Sequence, residues 1–390
     1  MVSANRWSML ALLWFTRVSM GFQFQSLASV GPLMVQELGI SYAQLGLLMG
    51  LYMLPGVFIA IPGAFLGAWL GDRRAVMTGL LLMIAGGILL GFSEVYWVAV
   101  MGRLISGAGA VTLNVQVTKM VTDWFAGREI ATGMSILLVS WPLGIALALA
   151  LGGVAGDWYG WQGPVWLTTG YAVVGLAAFS TMYQDPPSIS EIQVSLRDRL
   201  VLPLREILLA SGAGWVWMTY NGGFILLPSF APVFMAERGA SLVEAGAISS
   251  IIMWLAAGSI PLGGMLADRL RFRHGMIVVG GIATALVCWA MPLWPWVTLG
   301  FVLAGITMGP PAGPIMSLPS EALPPQRRGM GLGIYFTWYY MGMAFFPALG
   351  GMAQDATGSA AWPIGIAGGF MALTSVALAI FLLLHRRLRR

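Results

Sequence analysis

The first apolar stretch of the sequence, residues 7–35, carries a single charged side chain, Arg17, near its middle. If a helix begins at Trp7, a rise of about 1.5 Å per residue places Arg17 about 15 Å along it. A charge at that depth in a membrane costs at least ~2.5–3.5 kcal/mol, so we expect it to face a wet cavity or a partner. A guanidinium binds carboxylates and other oxyanions through paired hydrogen bonds. Arg17 therefore predicts anion binding, on a helical face that also carries Thr16, Ser19, Gln23 and Ser26.

A second hypothesis for Arg17 is structural, with its guanidinium held by hydrogen bonds to backbone carbonyls of neighbouring helices. Under the binding hypothesis, the partner groups come from the second half of the sequence. Trp217 lies 200 positions after Arg17, and Tyr220 and Asn221 follow it at helical spacing. An aromatic and amide surface opposite the guanidinium would hold a small anion from two sides.

The fourth and eleventh apolar stretches add further polar candidates. Asn114 and Gln116 lie deep in the fourth stretch, where each amide would either line a cavity or join two helices. Lys119 follows near the end of that stretch, where it would attract anions or extend its ammonium to the headgroups. The aromatic run at residues 338–340 would form a cavity wall or pack against helices. The predicted substrate-binding residues are Arg17, Gln23, Asn114, Trp217, Tyr220, Asn221 and Tyr339.

The composition indicates that most of the surface faces lipid. Hydrophobic residues make up 58% of the 390 residues and charged residues only 9%, whereas soluble proteins carry about 25% charged residues. This length accommodates about twelve spans of roughly 20 residues with short loops, and leaves no room for a separate soluble domain. With one cysteine, Cys288, and two histidines, the sequence predicts no intrachain disulfide, no metal site and no cofactor.

The two halves of the sequence repeat each other. At an offset of 200 the matches include Phe24/Phe224, Ser29/Ser229, Pro32/Pro232, Ser41/Ser241 and Gly46/Gly246. At an offset of 198 they include Gly102/Gly300, Gly107/Gly305, Gly133/Gly331 and Gly144/Gly342. Duplicated halves are typical of secondary transporters, in which two bundles move around a site between them. We therefore predict an all-α membrane protein with 12 transmembrane helices in two pseudo-symmetric six-helix bundles.

Hydropathy places the spans and divides the chain. The predicted spans are 7–34, 44–70, 75–93, 97–121, 130–153, 163–183, 207–234, 244–267, 275–292, 296–318, 329–352 and 361–384. The hydrophilic segment between the sixth and seventh spans would be a hinge. The predicted units are an N-terminal bundle, 1–184, a cytoplasmic linker, 185–206, and a C-terminal bundle, 207–390.

Charge is distributed unequally between alternate loops. Arginines fill the tails and even-numbered loops, whereas the odd-numbered loops carry acidic residues and one basic residue, Arg238. By the positive-inside rule, both termini lie in the cytoplasm of a multi-pass protein of the cell inner (plasma) membrane. The arginines form no continuous basic face, which excludes nucleic acid as a partner. The first apolar stretch is too long for a cleaved signal peptide.

Three motifs resemble those of one transporter family. Residues 264–269, Gly-Met-Leu-Ala-Asp-Arg, match the Gly-x-Leu-Ala-Asp-Arg signature of the major facilitator superfamily. The equivalent loop of the first half, 68–74, keeps the leucine, aspartate and arginine, but has Ala68 for the leading glycine and lacks the trailing basic pair. Residues 103–110 resemble the family's Arg-x-x-x-Gly-x-Gly element. The resemblance covers the whole chain, and it implies the major facilitator fold and alternating access.

The resemblance also implies gating roles. The loop aspartates, Asp72 and Asp268, with Arg73 and Arg269, would stabilise one conformation from near a helix end, where a carboxylate gains about 0.3–1 kcal/mol from the helix dipole. Solvated turn charges are the alternative. Arg103 would take part in conformational change or proton coupling through a buried partner, with direct contact to the solute as the alternative.

Short sequence matches point to one group of transporters within this family. Residues 29–33 and 52–56 resemble bacterial cyanate and nitrate/nitrite type porters, but the glycine-rich signatures of nitrate carriers are missing from spans five and eleven. A small inorganic or organic anion is therefore a better expectation than nitrate itself. No Asp, Glu or His falls in the middle of a predicted span, which favours exchange, facilitated diffusion, or symport in which the solute carries the proton. The expected partners are thus the anion, protons or a counter-anion, and the lipid bilayer.

Other function classes are less well supported. A proton-coupled drug or metabolite efflux antiporter is the main alternative, but Trp141 stands where the Gly-Pro-x-x-Gly-Gly element of such antiporters has glycine. A membrane enzyme would need converging catalytic groups, and the spans carry none. A transporter-like receptor would need a soluble signalling module. We predict a monomeric, non-enzymatic secondary active or facilitative transporter that works by a rocker-switch mechanism.

Overall fold

The computed structural model describes residues 5–59, 70–126, 129–186, 202–324 and 327–389, and these ranges contain helices and no β-strand. The first half contains α1 (Arg6–Phe24), α2 (Gly31–Leu38), α3 (Tyr42–Leu51), α4 (Pro55–Ile59), α5 (Asp72–Gly91), α6 (Tyr96–Trp124), α7 (Ile130–Tyr159) and α8 (Gln162–Met182). The second half contains α9 (Leu204–Glu237), α10 (Leu242–Arg269), α11 (Arg273–Ala290), α12 (Val297–Met308), α13 (Ala312–Ala322), α14 (Arg328–Thr357) and α15 (Ala361–Arg389).

Each of the twelve predicted spans coincides with a helix or a broken helix, which confirms an all-α membrane fold with about twelve helices. Spans one, two and ten are the broken ones, and they correspond to α1–α2, α3–α4 and α12–α13. Within the described residues, nine helical segments are long and apolar enough to cross a membrane. The three predicted spans without such a segment are spans one, seven and eleven. These three spans carry most of the predicted binding residues.

The first span changes its helical geometry at the end of α1. A 3₁₀ segment, Gln25–Val30, joins α1 to α2. Pro32 lies in the first turn of α2, where a residue without an N–H is tolerated because first-turn N–H groups have no partner inside the helix. The break leaves carbonyl groups at the end of α1 without their usual N–H partners, so they need hydrogen-bond donors from elsewhere in the bundle.

The second span breaks before a proline in the same way. Helix α3 ends at Leu51, and α4 begins at Pro55. Proline cannot donate to the carbonyl four residues earlier, and it disfavours helical geometry in the residue before it. The remainder of predicted span two, residues 60–69, lies outside the described residues, as does the first-half loop motif up to residue 69.

The internal repeat is visible in matching helix starts. Ser41 and Ser241 cap α3 and α10, and each forms a reciprocal capping box with the residue three positions later, Gln44 or Glu244. These two helices pack against the opposite halves, α3 against α14 and α10 against α7. The repeat thus produces two equivalent contacts between the halves.

Glycines allow these two contacts to be close. A Cβ atom on Gly46 in α3 would overlap the backbone carbonyl of Pro347 in α14. The repeated position, Gly246 in α10, faces the carbonyl of Leu149 in α7, and a Cβ there would also clash. Backbones in membrane bundles approach this closely only where the interface residues are small.

The two ends of the bundle differ in charge. One end, here called the acidic end, carries Glu37, Glu94, Asp157, Glu237 and Asp355. The other, the arginine end, carries Arg73, Arg74, Arg205, Arg269, Arg271, Arg273 and Arg327. Most of the predicted linker, residues 187–201, lies outside the described residues. Helix α9 begins at Leu204, three residues before the predicted start of the C-terminal bundle at 207. The predicted domain boundaries stay a prediction.

Candidate functional site

Arg17 is buried between three helices of the first half. Only 7% of its surface is exposed. Its Nε donates to Oδ1 of Asn114 in α6 at 2.9 Å. Its Nη1 donates to the carbonyl of Leu137 and to Oγ of Ser140 in α7, both at 2.8 Å. The guanidinium therefore holds α1 against α6 and α7 close to the middle of the bundle.

The charge of Arg17 is not balanced by an acidic neighbour. All three of its hydrogen-bond partners are neutral, and among the described residues no carboxylate forms an ion pair with it. No described residue accepts a hydrogen bond from its remaining nitrogen, Nη2. A buried cation without a counter-charge is costly in a membrane, so an anion that accepts from Nη2 would stabilise this arrangement. The structural hypothesis for Arg17 is supported only in part, because two of its three guanidinium nitrogens donate hydrogen bonds to neighbouring helices.

Asn114 connects Arg17 to the second half of the protein. While its Oδ1 accepts from Arg17, its Nδ2 donates to the hydroxyl of Tyr340 in α14 at 3.4 Å. Tyr339 and Tyr340 of α14 lie within electrostatic range of the guanidinium. Arg17 is therefore linked to the second half through Asn114 and span eleven, whereas the predicted facing surface was that of span seven, which stays a prediction.

An aromatic cluster of the second half lies beside this arginine. We define it as Trp217, Tyr220, Tyr335 and Tyr339. Trp217 stacks on the other three rings with centroid distances of 5.3, 6.1 and 5.9 Å and interplanar angles of 13°, 15° and 28°. The Nε1 atom of Trp217 is buried and has no hydrogen-bond partner among the described residues. An indole N–H usually finds an acceptor when buried, so this donor is unsatisfied in the described structure.

Three predicted binding residues are engaged elsewhere. Gln23 donates to the carbonyl of Met83 at 3.0 Å and accepts from Tyr52 at 3.3 Å, so both ends of its amide join helices of the first half. The hydroxyl of Tyr220 donates to the carbonyl of Met308 at 2.7 Å. Asn221 donates to the carbonyl of Trp217, one turn earlier in α9. These three side chains are thus engaged within the protein, and their role as direct solute contacts stays a prediction. The Tyr220 ring also stacks on Trp217.

Sequence reasoning missed two members of the site, Tyr335 and Ser140, neither of which was predicted to bind. Tyr340, in contrast, lies in the aromatic run 338–340 that was predicted to form a cavity wall or to pack against helices. Tyr335 and Tyr339 are four residues apart in α14, as are Phe336 and Tyr340, so each pair shares one helical face. That spacing was the signal that would have extended the prediction beyond Tyr339.

Arg103 is fully buried in a site of its own. Its three nitrogens donate to the carbonyls of Gln23, Phe24, Leu48 and Met49 at 2.9–3.3 Å, and its guanidinium lies 4.5 Å from the Tyr52 ring centroid. These carbonyls belong to the last turns of α1 and α3, where the helix breaks remove the usual N–H donors; that of Gln23 also accepts from Oγ of Ser26 at 2.8 Å. The partner expected for Arg103 is thus a set of backbone carbonyls rather than a side-chain acid.

The loop aspartates have partners other than the predicted arginines. Asp72, in the first turn of α5, pairs with Lys119 of α6 at 2.5 Å, while Arg73 donates to the carbonyl of Ser180. Lys119 also pairs with Asp123 at 3.1 Å, so it neither extends freely toward headgroups nor attracts anions as a lone charge. Helix α5 begins at Asp72 itself, which places the carboxylate at the positive end of that helix.

Asp268 differs from Asp72 in its position on a helix. It lies in the last turn of α10, at the negative end of the helix dipole, and it pairs with Arg273 at 2.7 Å, whereas Arg269 is exposed. A three-residue turn brings the first residue of α11 back to this carboxylate. Asp72 and Asp268 thus pair with Lys119 and Arg273 rather than with Arg73 and Arg269, and the gating role of these four residues stays a prediction.

Comparison with known proteins identifies the family. A model described as Major Facilitator Superfamily matches residues 13–234 and 216–390. The chain therefore belongs to the Major Facilitator Superfamily of membrane transporters. Across the described residues, no group of three or more His, Cys, Asp or Glu side chains is placed to hold a metal ion.

Individual relatives are distant but extensive. The "Inner membrane transport protein YajR" of Escherichia coli (strain K12) is 25% identical over 329 residues, 80% of this chain and 70% of the relative. The "3-(3-hydroxy-phenyl)propionate transporter" of the same organism is 24% identical over 357 residues, covering 87% and 86%. The "Probable nitrate/nitrite transporter NarK2" of Mycobacterium tuberculosis (strain ATCC 25618 / H37Rv) is 24% identical over 348 residues, covering 82% and 85%. The predicted resemblance to nitrate/nitrite type porters is confirmed.

Proposed function

We propose that this chain is a secondary active or facilitative transporter that carries a small anionic solute across the bacterial inner membrane by rocker-switch alternating access. The observation that carries the proposal is Arg17, a buried cation with neutral partners and one guanidinium nitrogen left for a ligand. An anion at Nη2 would supply the missing counter-charge through a charge-assisted hydrogen bond.

The position of Arg17 supports alternating access. Asn114 bonds both to Arg17 in the first half and to Tyr340 in the second half, so a solute at Arg17 would be contacted by both bundles. Duplicated transporters place their solute at the boundary between repeats, because movement of one repeat against the other then exposes it to either side. Trp217 would provide the second donor from the opposite half, through its unpartnered indole N–H.

The names of two relatives support an anionic solute. One is named for nitrate and nitrite and the other for a substituted propionate, all of which are anions. The three share a single negative charge on oxygen atoms, which is the chemistry that a guanidinium N–H recognises. We therefore propose a small inorganic or organic oxyanion.

The distribution of acidic residues supports coupling without a buried carboxylate. Every described Asp and Glu lies in a loop or within three residues of a helix end. A carrier that moves protons through its own interior normally needs an ionisable group within the membrane. We propose that the anion moves by exchange with a counter-anion, by facilitated diffusion, or together with a proton that the solute itself carries.

We propose that the protein acts as a monomer made of two bundles, residues 1–184 and 207–390. We also propose that the arginine end faces the cytoplasm, so that both termini are cytoplasmic. The positive-inside rule supports this orientation. Labelling of single cysteines in intact cells tests it, with Glu94→Cys expected to react with an impermeant maleimide and Arg205→Cys expected to remain unlabelled.

The experiment for the anion site is thermal stabilisation of the detergent-purified wild type and Arg17→Gln against nitrate, nitrite, benzoate, neutral metabolites and lipophilic cations. We expect the melting temperature of the wild type to rise with at least one anion, because a ligand that binds the folded state stabilises it. The shift should disappear in Arg17→Gln and persist in Arg386→Gln, which removes an exposed arginine outside the site.

Two outcomes would overturn the proposal. Equal anion shifts in the wild type and Arg17→Gln would show that Arg17 does not contact the solute. Shifts with lipophilic cations alone, equal in both proteins, would favour the efflux antiporter. Uptake of the stabilising anion into liposomes then separates a carrier from a protein that only binds.

A further inference from the structure

Asp355 joins the two halves at the acidic end of the bundle. It lies near the end of α14, in the second half. Its Oδ1 accepts from the backbone N–H of Tyr42 at 2.9 Å, and its Oδ2 accepts from the N–H of Ala43 at 2.8 Å. Tyr42 and Ala43 are the first two residues of α3, in the first half. One carboxylate of the second half therefore caps a helix of the first half.

This contact is electrostatically favourable. The first N–H groups of a helix have no partner inside that helix, and they form the positive end of its dipole. A carboxylate that accepts from two of them satisfies both donors and gains from the dipole. Because Asp355 is exposed, water can replace it on these donors when the halves separate.

A second carboxylate fixes the segment that carries Asp355. Glu237, the last residue of α9, accepts from Nε2 of Gln354 at 2.7 Å and from the backbone N–H of Ala360 at 2.8 Å. Gln354 is the neighbour of Asp355, and Ala360 immediately precedes α15. All of these residues belong to the second half, so Asp355 is held on its own bundle while it reaches across to the other.

The internal repeat supplies a natural comparison. Asp157 in α7 lies 198 positions before Asp355, and the helix start it would cap is that of α10. However, Asp157 is exposed, and the described residues include none that donates a hydrogen bond to it. The difference lies in the capping boxes, because the start of α10 already holds the carboxylate of Glu244, whereas the start of α3 holds the neutral amide of Gln44. A second carboxylate would be repelled at α10 and is accepted at α3.

Among the described residues of the arginine end, no ion pair joins the two halves. The six ion pairs that the structure describes all join residues of the same half. The polar contact of Asp355 is therefore a feature of the acidic end, where α3 packs closely on α14.

We infer that Asp355 is a gating residue whose contact with the start of α3, here called the latch, stabilises the closed state of the acidic end. Release of its carboxylate from α3 accompanies opening of that end. The inference rests on the proposed alternating access, but it is independent of which solute is carried. It gives the transport cycle one specific cross-half bond that must break and re-form on every turnover.

The test measures the distance between the halves at the acidic end. Spin labels are attached at Glu94→Cys and Trp296→Cys, two exposed loop positions on opposite halves, and the buried Cys288 is replaced by Ala. Double electron–electron resonance then reports the populations of the short and long distances in liposomes without added solute. Asp355→Ala is the principal variant, and Asp157→Ala, its repeat counterpart, is the matched control.

We expect Asp355→Ala to raise the ratio of open to closed molecules about fivefold, the upper end of the range for an exposed carboxylate at a helix N-terminus. Asp157→Ala should leave the ratio at its wild-type value. A second variant, Gln44→Glu, keeps the capping box in the form that α10 uses, so the fold should be retained. Its new carboxylate should repel Asp355 and also favour the open state.

An unchanged ratio in both Asp355→Ala and Gln44→Glu would overturn the latch, as would equal opening in Asp157→Ala. The outcome is distinguishable from failure of the proposed anion site, because the distance measurement needs no solute and leaves Arg17 intact. If Asp355→Ala changes the spin-label distances while Arg17→Gln still binds anions normally, the gating role of Asp355 is retained and the proposed solute site at Arg17 is rejected.

Discussion

Two buried arginines of the first half differ in what their guanidinium nitrogens contact. Every nitrogen of Arg103 donates to a backbone carbonyl, four carbonyls in all. Arg17 uses Nε and Nη1 on neutral groups, and no described residue accepts from its Nη2. The same side chain is therefore structural at one position and available for a ligand at the other.

At the same scale, Trp217→Phe should weaken anion binding. The substitution keeps a stacking ring but removes the indole N–H that has no described partner. If that N–H donates to the solute, its loss should raise the Kd about tenfold, the size expected for one hydrogen bond to a charged group. Isothermal titration with the stabilising anion measures this change.

The control for this prediction is Trp215→Phe, a change of the same type two residues earlier on an exposed part of α9. It should leave the Kd unchanged. Equal affinities of Trp217→Phe and wild type would remove Trp217 from the site and leave Arg17 as the only proposed donor.

At the scale of elements, the breaks in the first two spans are connected through one side chain. Helices α1 and α3 both end inside the bundle, near Phe24 and Leu51, where water is not available to their last carbonyls. In the interior of a membrane protein every backbone polar group needs an internal partner. Arg103 of α6 supplies that partner for both helices, which explains why two proline-containing breaks are tolerated next to each other.

Arg103→Lys should therefore destabilise the protein even though it keeps the charge. An ammonium is a compact donor and cannot reach four carbonyls spread around a planar guanidinium. Leaving two or more of them without donors should cost on the order of 3 kcal/mol. Thermal unfolding in detergent measures the loss. The exposed Arg269→Lys should melt like the wild type, and an unaltered melting temperature for Arg103→Lys would show that the carbonyls find other partners.

At the scale of the whole molecule, the two halves meet through backbone approaches that only small residues permit. Gly46 against Pro347 and Gly246 against Leu149 are the repeated pair. Together with Asp355, they close the acidic end, whereas the described ion pairs of the arginine end stay within one half. Within the part of the chain that the structure describes, the polar and glycine contacts between the halves named above thus lie toward the acidic end.

Gly46→Ala should shift the protein toward opening of the acidic end. The added methyl group would overlap the Pro347 carbonyl, so the closed state loses stability while a separated state does not. The same spin-labelled pair should show a larger long-distance population. Gly170→Ala is a matched control, because a Cβ on this glycine of α8 meets no atom within 4 Å. Identical distance distributions for the two variants would contradict the proposed role of the α3–α14 contact.

Hydropathy, charge and internal repetition determined the fold, because lipid permits few alternatives. A chain with this composition must satisfy its backbone within helices, so the apolar stretches predict the spans to within a few residues. The matching Ser41 and Ser241 predict matching helix starts for a local reason, since a capping box involves residues only three positions apart. Family membership followed from motifs that are equally local.

The tertiary structure decided which polar groups are available, because each is satisfied by partners distant in sequence. Gln23 and Tyr220 looked as suitable for binding as Arg17, but the carbonyls that engage them come from other helices, at Met83 and Met308. Likewise, the sequence placed Asp72 beside Arg73, whereas packing of α5 on α6 paired it with Lys119. The burial and free nitrogen of Arg17, and the reach of Asp355 across to α3, depend on how the two halves pack, which no local pattern of residues encodes.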